Sequence, residues 1–139
     1  MTRWHLLLLP FLFACSNAEH DTLTDHWPNG NVKRELIVSA GDTTEIAMYD
    51  TAGRLSKVSR WSEGQKHGKW EAFYPDGKPW SIHHYKKGIQ VGAYFTWHPN
   101  GNPFVSGQYD SIGEPTGMWR FFNDQGNLIR EERGPSIHN

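Results

Sequence analysis

One cysteine in 139 residues excludes an internal disulfide and any multi-cysteine zinc or iron–sulfur site. Charge of one sign is also missing. Fourteen Lys and Arg face fifteen Asp and Glu, a net of -1, so the composition points to no polyanion-binding surface. The main apolar run, residues 6–14, would rise about 13 Å as a helix, whereas a bilayer core takes about 20 residues. Aliphatic side chains are scarce too: hydrophobic residues reach only 37% although aromatics alone make up 14%. That shortage argues against a helical bundle.

What the chain has instead is seven Trp, five Tyr, seven Phe and fourteen Gly. Aromatics and glycines in these numbers point to an all-β fold of short strands joined by tight turns. The glycines are also periodic. Turn-like tetrapeptides end at Gly30, Gly53, Gly77, Gly101 and Gly126, with spacings of 23, 24, 24 and 25. A second set runs in step, Gly64 with Gly68, Gly88 with Gly92, and Gly113 with Gly117; two positions after each pair stand Trp70, Tyr94 and Trp119. Agreement of several registers at one period identifies a repeat protein.

Each tetrapeptide suits a type I turn closed by a left-handed glycine, a common hairpin connection. Between turns, alternation predicts one column of Trp70, Tyr94 and Trp119 and another, on the opposite face, of Phe73, Trp97 and Phe122. Trp61, Tyr85 and Tyr109 predict a third column. Pro79 and Pro103 fall at strand starts, where a missing donor is tolerated. These aromatics either cover a sheet that has no deep core or, where exposed, form a binding surface.

At the N-terminus, Arg3 precedes the nine-residue apolar stretch, as in an export signal. Its end, Leu12-Phe13-Ala14-Cys15, resembles the lipobox of bacterial lipoproteins, although Phe13 is bulkier than usual there. The resemblance implies cleavage after Ala14 and diacylglycerol on the Cys15 thiol. Ser16 to His26 is polar and without periodicity, and reads as a tether. Ser16, rather than an inner-membrane-retaining Asp, favours the outer membrane. The expected organisation is a signal peptide over 1–14, a lipidated Cys15 with tether over 15–26, repeats over 27–134, and a tail over 135–139.

Little in the sequence suggests catalysis. His83 and His84 are adjacent and would face opposite sides of a strand, His98 flanks a turn, and no metal-ligand spacing is present. Neither a nucleophile elbow nor a phosphate loop or dinucleotide fingerprint appears, so we expect no enzyme, no metal and no cofactor. Lys66, Lys69, Lys86 and Lys87 form a modest basic cluster, which reads more simply as a strand edge protected from aggregation.

The segment from Glu63 to Lys78 resembles the MORN-repeat variant, with its G-x-x-x-G-x-W/Y pattern, aromatic pair and P-N/D-G turn. The likeness is good over Lys87–Asn102 and Ile112–Asn127 and degraded over Gly41–Arg54. It implies a single-layer antiparallel meander of repeated β-hairpins, a MORN-like solenoid without helices beyond the signal peptide. Bacterial members of this kind are often labelled antitoxin-like proteins of the YwqK type. Together these features predict a lipid-anchored, non-enzymatic module of the cell envelope that binds another protein, with no nucleic-acid partner. The alternatives are an envelope carbohydrate binder, on peptidoglycan or a surface glycan, and an antitoxin or immunity protein.

Overall fold

The computed structural model describes residues 20–134, all strand and turn with no helix. The expected signal peptide over 1–14, Cys15 and the expected tail over 135–139 lie outside the described residues. Twelve strands follow in chain order: β1 (His20–His26), β2 (Val32–Ser39), β3 (Asp42–Tyr49), β4 (Leu55–Ser62), β5 (Gln65–Lys66), β6 (Gly68–Phe73), β7 (Pro79–Lys86), β8 (Ile89–Gln90), β9 (Gly92–Trp97), β10 (Pro103–Tyr109), β11 (Pro115–Phe122) and β12 (Leu128–Arg133). Ten of them form an open antiparallel meander in sequence order, and the two-residue β5 and β8 pair with β4 and β7. The expected single-layer hairpin array is therefore the fold. Its start differs: β1 occupies part of the segment read as a tether and pairs with β2 from His20↔Ser39 to His26↔Val32. Sequence periodicity misses β1 because all seven of its residues are exposed on an edge, where alternation is not required.

The five turn glycines all have left-handed φ, between 79° and 92°, along one edge of the sheet. Each turn closes through the same two backbone bonds, as Gly77 N–H to Tyr74 O and Tyr74 N–H to Lys78 O. Three of the four successive turn pairs are then stapled by side chains. The Trp27 Nε1–H donates to Tyr49 O, the Tyr74 hydroxyl to Trp97 O, and the His98 Nε2–H to Phe122 O, at 3.1, 2.7 and 3.0 Å. Asn31 and Asn102 reach Thr51 O and Asp124 O in the same way. At these turns the repeat period places a side-chain donor beside the backbone of the following turn, whereas Asp50, at the equivalent place in the second turn, accepts from Ala52 N–H and Arg54 within its own turn.

The opposite edge departs from the uniform glycine register. Ala40-Gly41, Glu63-Gly64 and Lys87-Gly88 are two-residue loops with both φ positive, the type whose twist matches a hairpin. Gly113 instead closes a longer turn, with Asp110 N–H to Glu114 O and Gly113 N–H to Asp110 O.

Every strand leaving a stapled turn also carries a bulge. Register shifts occur at Asp25/His26, Met48/Tyr49, Ala72/Phe73, Pro103/Val105 and Phe121/Phe122. The extra residues are Lys33, Ser56, Trp80, Phe104 and Ile129, each three positions past a turn glycine. A bulge adds a side chain that simple alternation does not count.

Candidate functional site

Register assigns the faces. The successive pairs Lys57↔Ala72, Ala72↔Ser81, Ser81↔Thr96, Thr96↔Val105, Val105↔Phe121 and Phe121↔Arg130 put one row of side chains on one face. The neighbouring row on that face contains the pairs Trp70↔His83 and Tyr94↔Gly107. We call it the ring face. The first expected column, Trp70, Tyr94 and Trp119, belongs to it. Trp61, Tyr85 and Tyr109 do not form a separate column but interdigitate with the first.

A chain of ring contacts follows. Trp61 meets Trp70 at 5.0 Å, and Trp70 meets Tyr85 at 5.2 Å. Tyr85 stacks on His83, and His83 meets Tyr94 edge-on at 4.9 Å. Tyr94, Tyr109 and Trp119 close a triangle at 5.2–6.0 Å. Apart from the His83–Tyr85 stack, these pairs are tilted or T-shaped, with interplanar angles of 39–85°. Each such pair contributes about 0.5–1.5 kcal/mol beyond its area burial.

The rings lie down over small residues, which explains how one layer buries anything. Trp70 is only 8% exposed and Ser59 3%. Trp70 Nε1–H donates to Arg60 O at 2.8 Å, and Trp61 Nε1–H to Ser59 Oγ at 3.1 Å. The buried Thr96 hydroxyl accepts the Val105 N–H. Trp119 lies across Gly107, and its indole N–H is the buried side-chain group without a hydrogen-bond partner among the described residues.

The second expected column, Phe73, Trp97 and Phe122, lies on the other face beside the stapled turns, with Phe73 across from Pro79 and Trp97 across from Pro103. The six aromatics singled out in the sequence therefore do not form a single surface. The rest of this face carries a ladder of ion pairs: Arg60 with Glu45 and Glu71, Lys69 with Glu71, and Arg120 with Glu131. Such pairs at a solvated surface add little stability. The ladder also divides the expected basic cluster, because Lys69 is committed to Glu71 at 2.8 Å on this face.

Accessible aromatic surface comes from residues that the repeat period did not single out. Trp80 is 53% exposed and Phe104 45%, and both are bulge residues. Their common offset of three from a turn glycine was visible, but nothing in it indicates exposure. Beside Trp80 the ring face holds a shallow hollow of about 290 Å³. Ala72 and Ser81 line it, with Trp70, Trp80, His83 and Tyr85 around them. Glu71, Lys57 and Lys66 complete the lining; each lysine has its Nζ 4.7 Å from the Trp70 ring centroid, and Lys66 is also 4.9 Å from Tyr85.

Burial pushes the His83 imidazole below its ordinary range, and the charges of His84, Lys57 and Lys66 act in the same direction. Gln90 Nε2–H donates to its Nδ1 at 3.1 Å, so the neutral ring carries its proton on Nε2. His84 points the other way, toward Ala93 O at 3.0 Å. Among the described residues no three His, Cys, Asp or Glu are grouped as a metal site would need, and no helix is long and apolar enough to cross a membrane.

Comparison with known proteins matches residues 66–87, from β5 to the end of the β7 hairpin, to the MORN repeat variant. The chain thus carries a MORN-type repeat, at the segment that also supplies Trp70, Trp80, His83 and Tyr85. No curated protein matches the chain. Among solved structures, the crystal structure of a GtfA/B complex bound to UDP and GlcNAc is 15% identical, with a TM-score of 0.30. The match covers 92% of this chain and 25% of that one. At that score the likeness carries no argument.

Proposed function

We propose that this chain is a non-enzymatic, lipid-anchored repeat module of the bacterial cell envelope whose ring face binds another protein. One observation carries the reading. Most of the ring pairs are tilted or edge-on, and exposed Trp80 shares a hollow with Lys57 and Lys66, with exposed Phe104 at the same bulge position one repeat on, as in a side-chain-sized contact patch. A sugar-binding platform would need flat, coplanar exposed rings. Protein interfaces favour buried aromatic anchors with a charged rim. The MORN-type repeat supports the same reading. Attachment through acylated Cys15 rests on the lipobox-like residues 12–15, and Ser16 favours the outer membrane.

The test is photo-crosslinking in the native cell. A p-benzoylphenylalanine replaces Trp80 or Phe104 in the full chain, with the exposed Phe95 of the opposite face as control. Positions 80 and 104 are expected to yield the same protein adduct and position 95 none. Adducts to glycan alone, or equal labelling from both faces, would overturn the proposal.

A further inference from the structure

Lys57 and Lys66 enter the same hollow from different strands, β4 and β5, and both ammonium groups rest on the Trp70 indole. Among the described residues neither makes an ion pair, whereas Arg60, Lys69 and Lys78 each find a carboxylate. Two like charges drawn onto one ring repel one another, and the one acid that lines the hollow, Glu71, has its carboxylate paired with Lys69 at 2.8 Å and Arg60 at 3.5 Å instead. Its apolar rim, Trp80, stands open to solvent. A ring's electron-rich face holds a cation without satisfying all its N–H donors, so each ammonium keeps donors for an incoming acceptor.

We infer that this hollow is the subsite for an acidic side chain of the partner protein, its carboxylate bridging Lys57 and Lys66 while its aliphatic stem lies against Trp80. The inference rests on the proposed protein-binding role and gives that partner a chemistry. Size fits, because about 290 Å³ holds one or two side chains rather than a folded segment. Charge fits a carboxylate in particular, since ammonium groups and a carboxylate form charge-assisted hydrogen bonds. A membrane surface fits less well. Lys69 is tied to Glu71 on the other face, and Lys86 and Lys87 belong to the end of β7 and its hairpin loop, so the basic residues do not lie in one plane.

His83 provides a local reporter. It faces Lys57, Lys66, Tyr85, Tyr94 and Gln90, with His84 adjacent on β7. Lysine charge depresses its protonation, and a carboxylate between the lysines should reverse part of that depression. The probe is the blocked peptide acetyl-Leu-Glu-amide, with acetyl-Leu-Gln-amide as the neutral control, titrated by NMR against the full chain in neutral detergent.

The acidic peptide is expected to bind at least tenfold more tightly than the neutral one and to raise the His83 midpoint. Lys57→Gln with Lys66→Gln should abolish the difference, and Lys57→Arg with Lys66→Arg should restore it. Equal binding of both peptides, or an acidic preference that survives the double Gln substitution, would overturn the subsite. So would preferential binding of anionic phospholipid vesicles that is lost on the same substitution. In each of those cases protein adducts from position 80 would still stand, so failure here is separable from failure of the interaction role.

Discussion

Gly107 shows how much one absent side chain decides. It lies in mid-strand without a left-handed φ, and a Cβ there would sit 2.4 Å from Cδ2 of Trp119. Trp119 can close its triangle with Tyr94 and Tyr109 only because position 107 is bare. Gly107→Ala is expected to cost about 1–3 kcal/mol, the usual range for overpacking, and to appear as a lower urea midpoint with unchanged slope. Wild-type stability in that variant would show that Trp119 does not rest there. The sequence period does not reveal this contact. One repeat earlier the same place holds His83, which packs edge-on against Tyr94 instead. The residue pattern foretold that Trp70, Tyr94 and Trp119 share a face, yet their merger with Trp61, Tyr85 and Tyr109 depends on side-chain length across neighbouring strands.

At the scale of the element, the hairpin loops are where local preference and fold disagree. Lys87 precedes Gly88 with φ of 48°, a conformation that costs an L-residue with a long side chain about 1–2 kcal/mol. Asn tolerates it and is favoured in this turn type. Lys87→Asn is therefore expected to stabilise the protein by about 0.5–1 kcal/mol, measured as a higher thermal midpoint; a lower midpoint would mean that the lysine itself makes a stabilising contact. The turns on the other edge were legible from their Pro, Asn or Asp and closing Gly, since those residues carry their dihedral preferences with them. The bulges were not. They arise where a twisted strand pairs with a neighbour across a stapled turn, and that is how Trp80 and Phe104 become exposed on the ring face. Lys57 and Lys66 were equally hard to foresee as a pair, because nine residues separate them and a hairpin brings them to one indole.

For the molecule as a whole, each strand pairs with its neighbours in sequence, so an elongated array forms from local contacts without one central core. Such an array offers two broad faces, and attachment at one end would leave both accessible. Cys15→Ser tests the attachment: the variant is expected to move from the membrane pellet to the soluble extract and to lose metabolically incorporated fatty acid. Retention of label in the variant would exclude acylation at that thiol. By itself the sequence determined the all-β class, the period, the meander order and the positions of the stapled turns. Those follow from backbone chemistry within a unit of about two dozen residues. Only the tertiary structure decided which aromatics interdigitate and which stand exposed, where the sheet begins, and which lysines share a ring. Those depend on register between strands, and a single bulge per repeat is enough to change what stands on the surface.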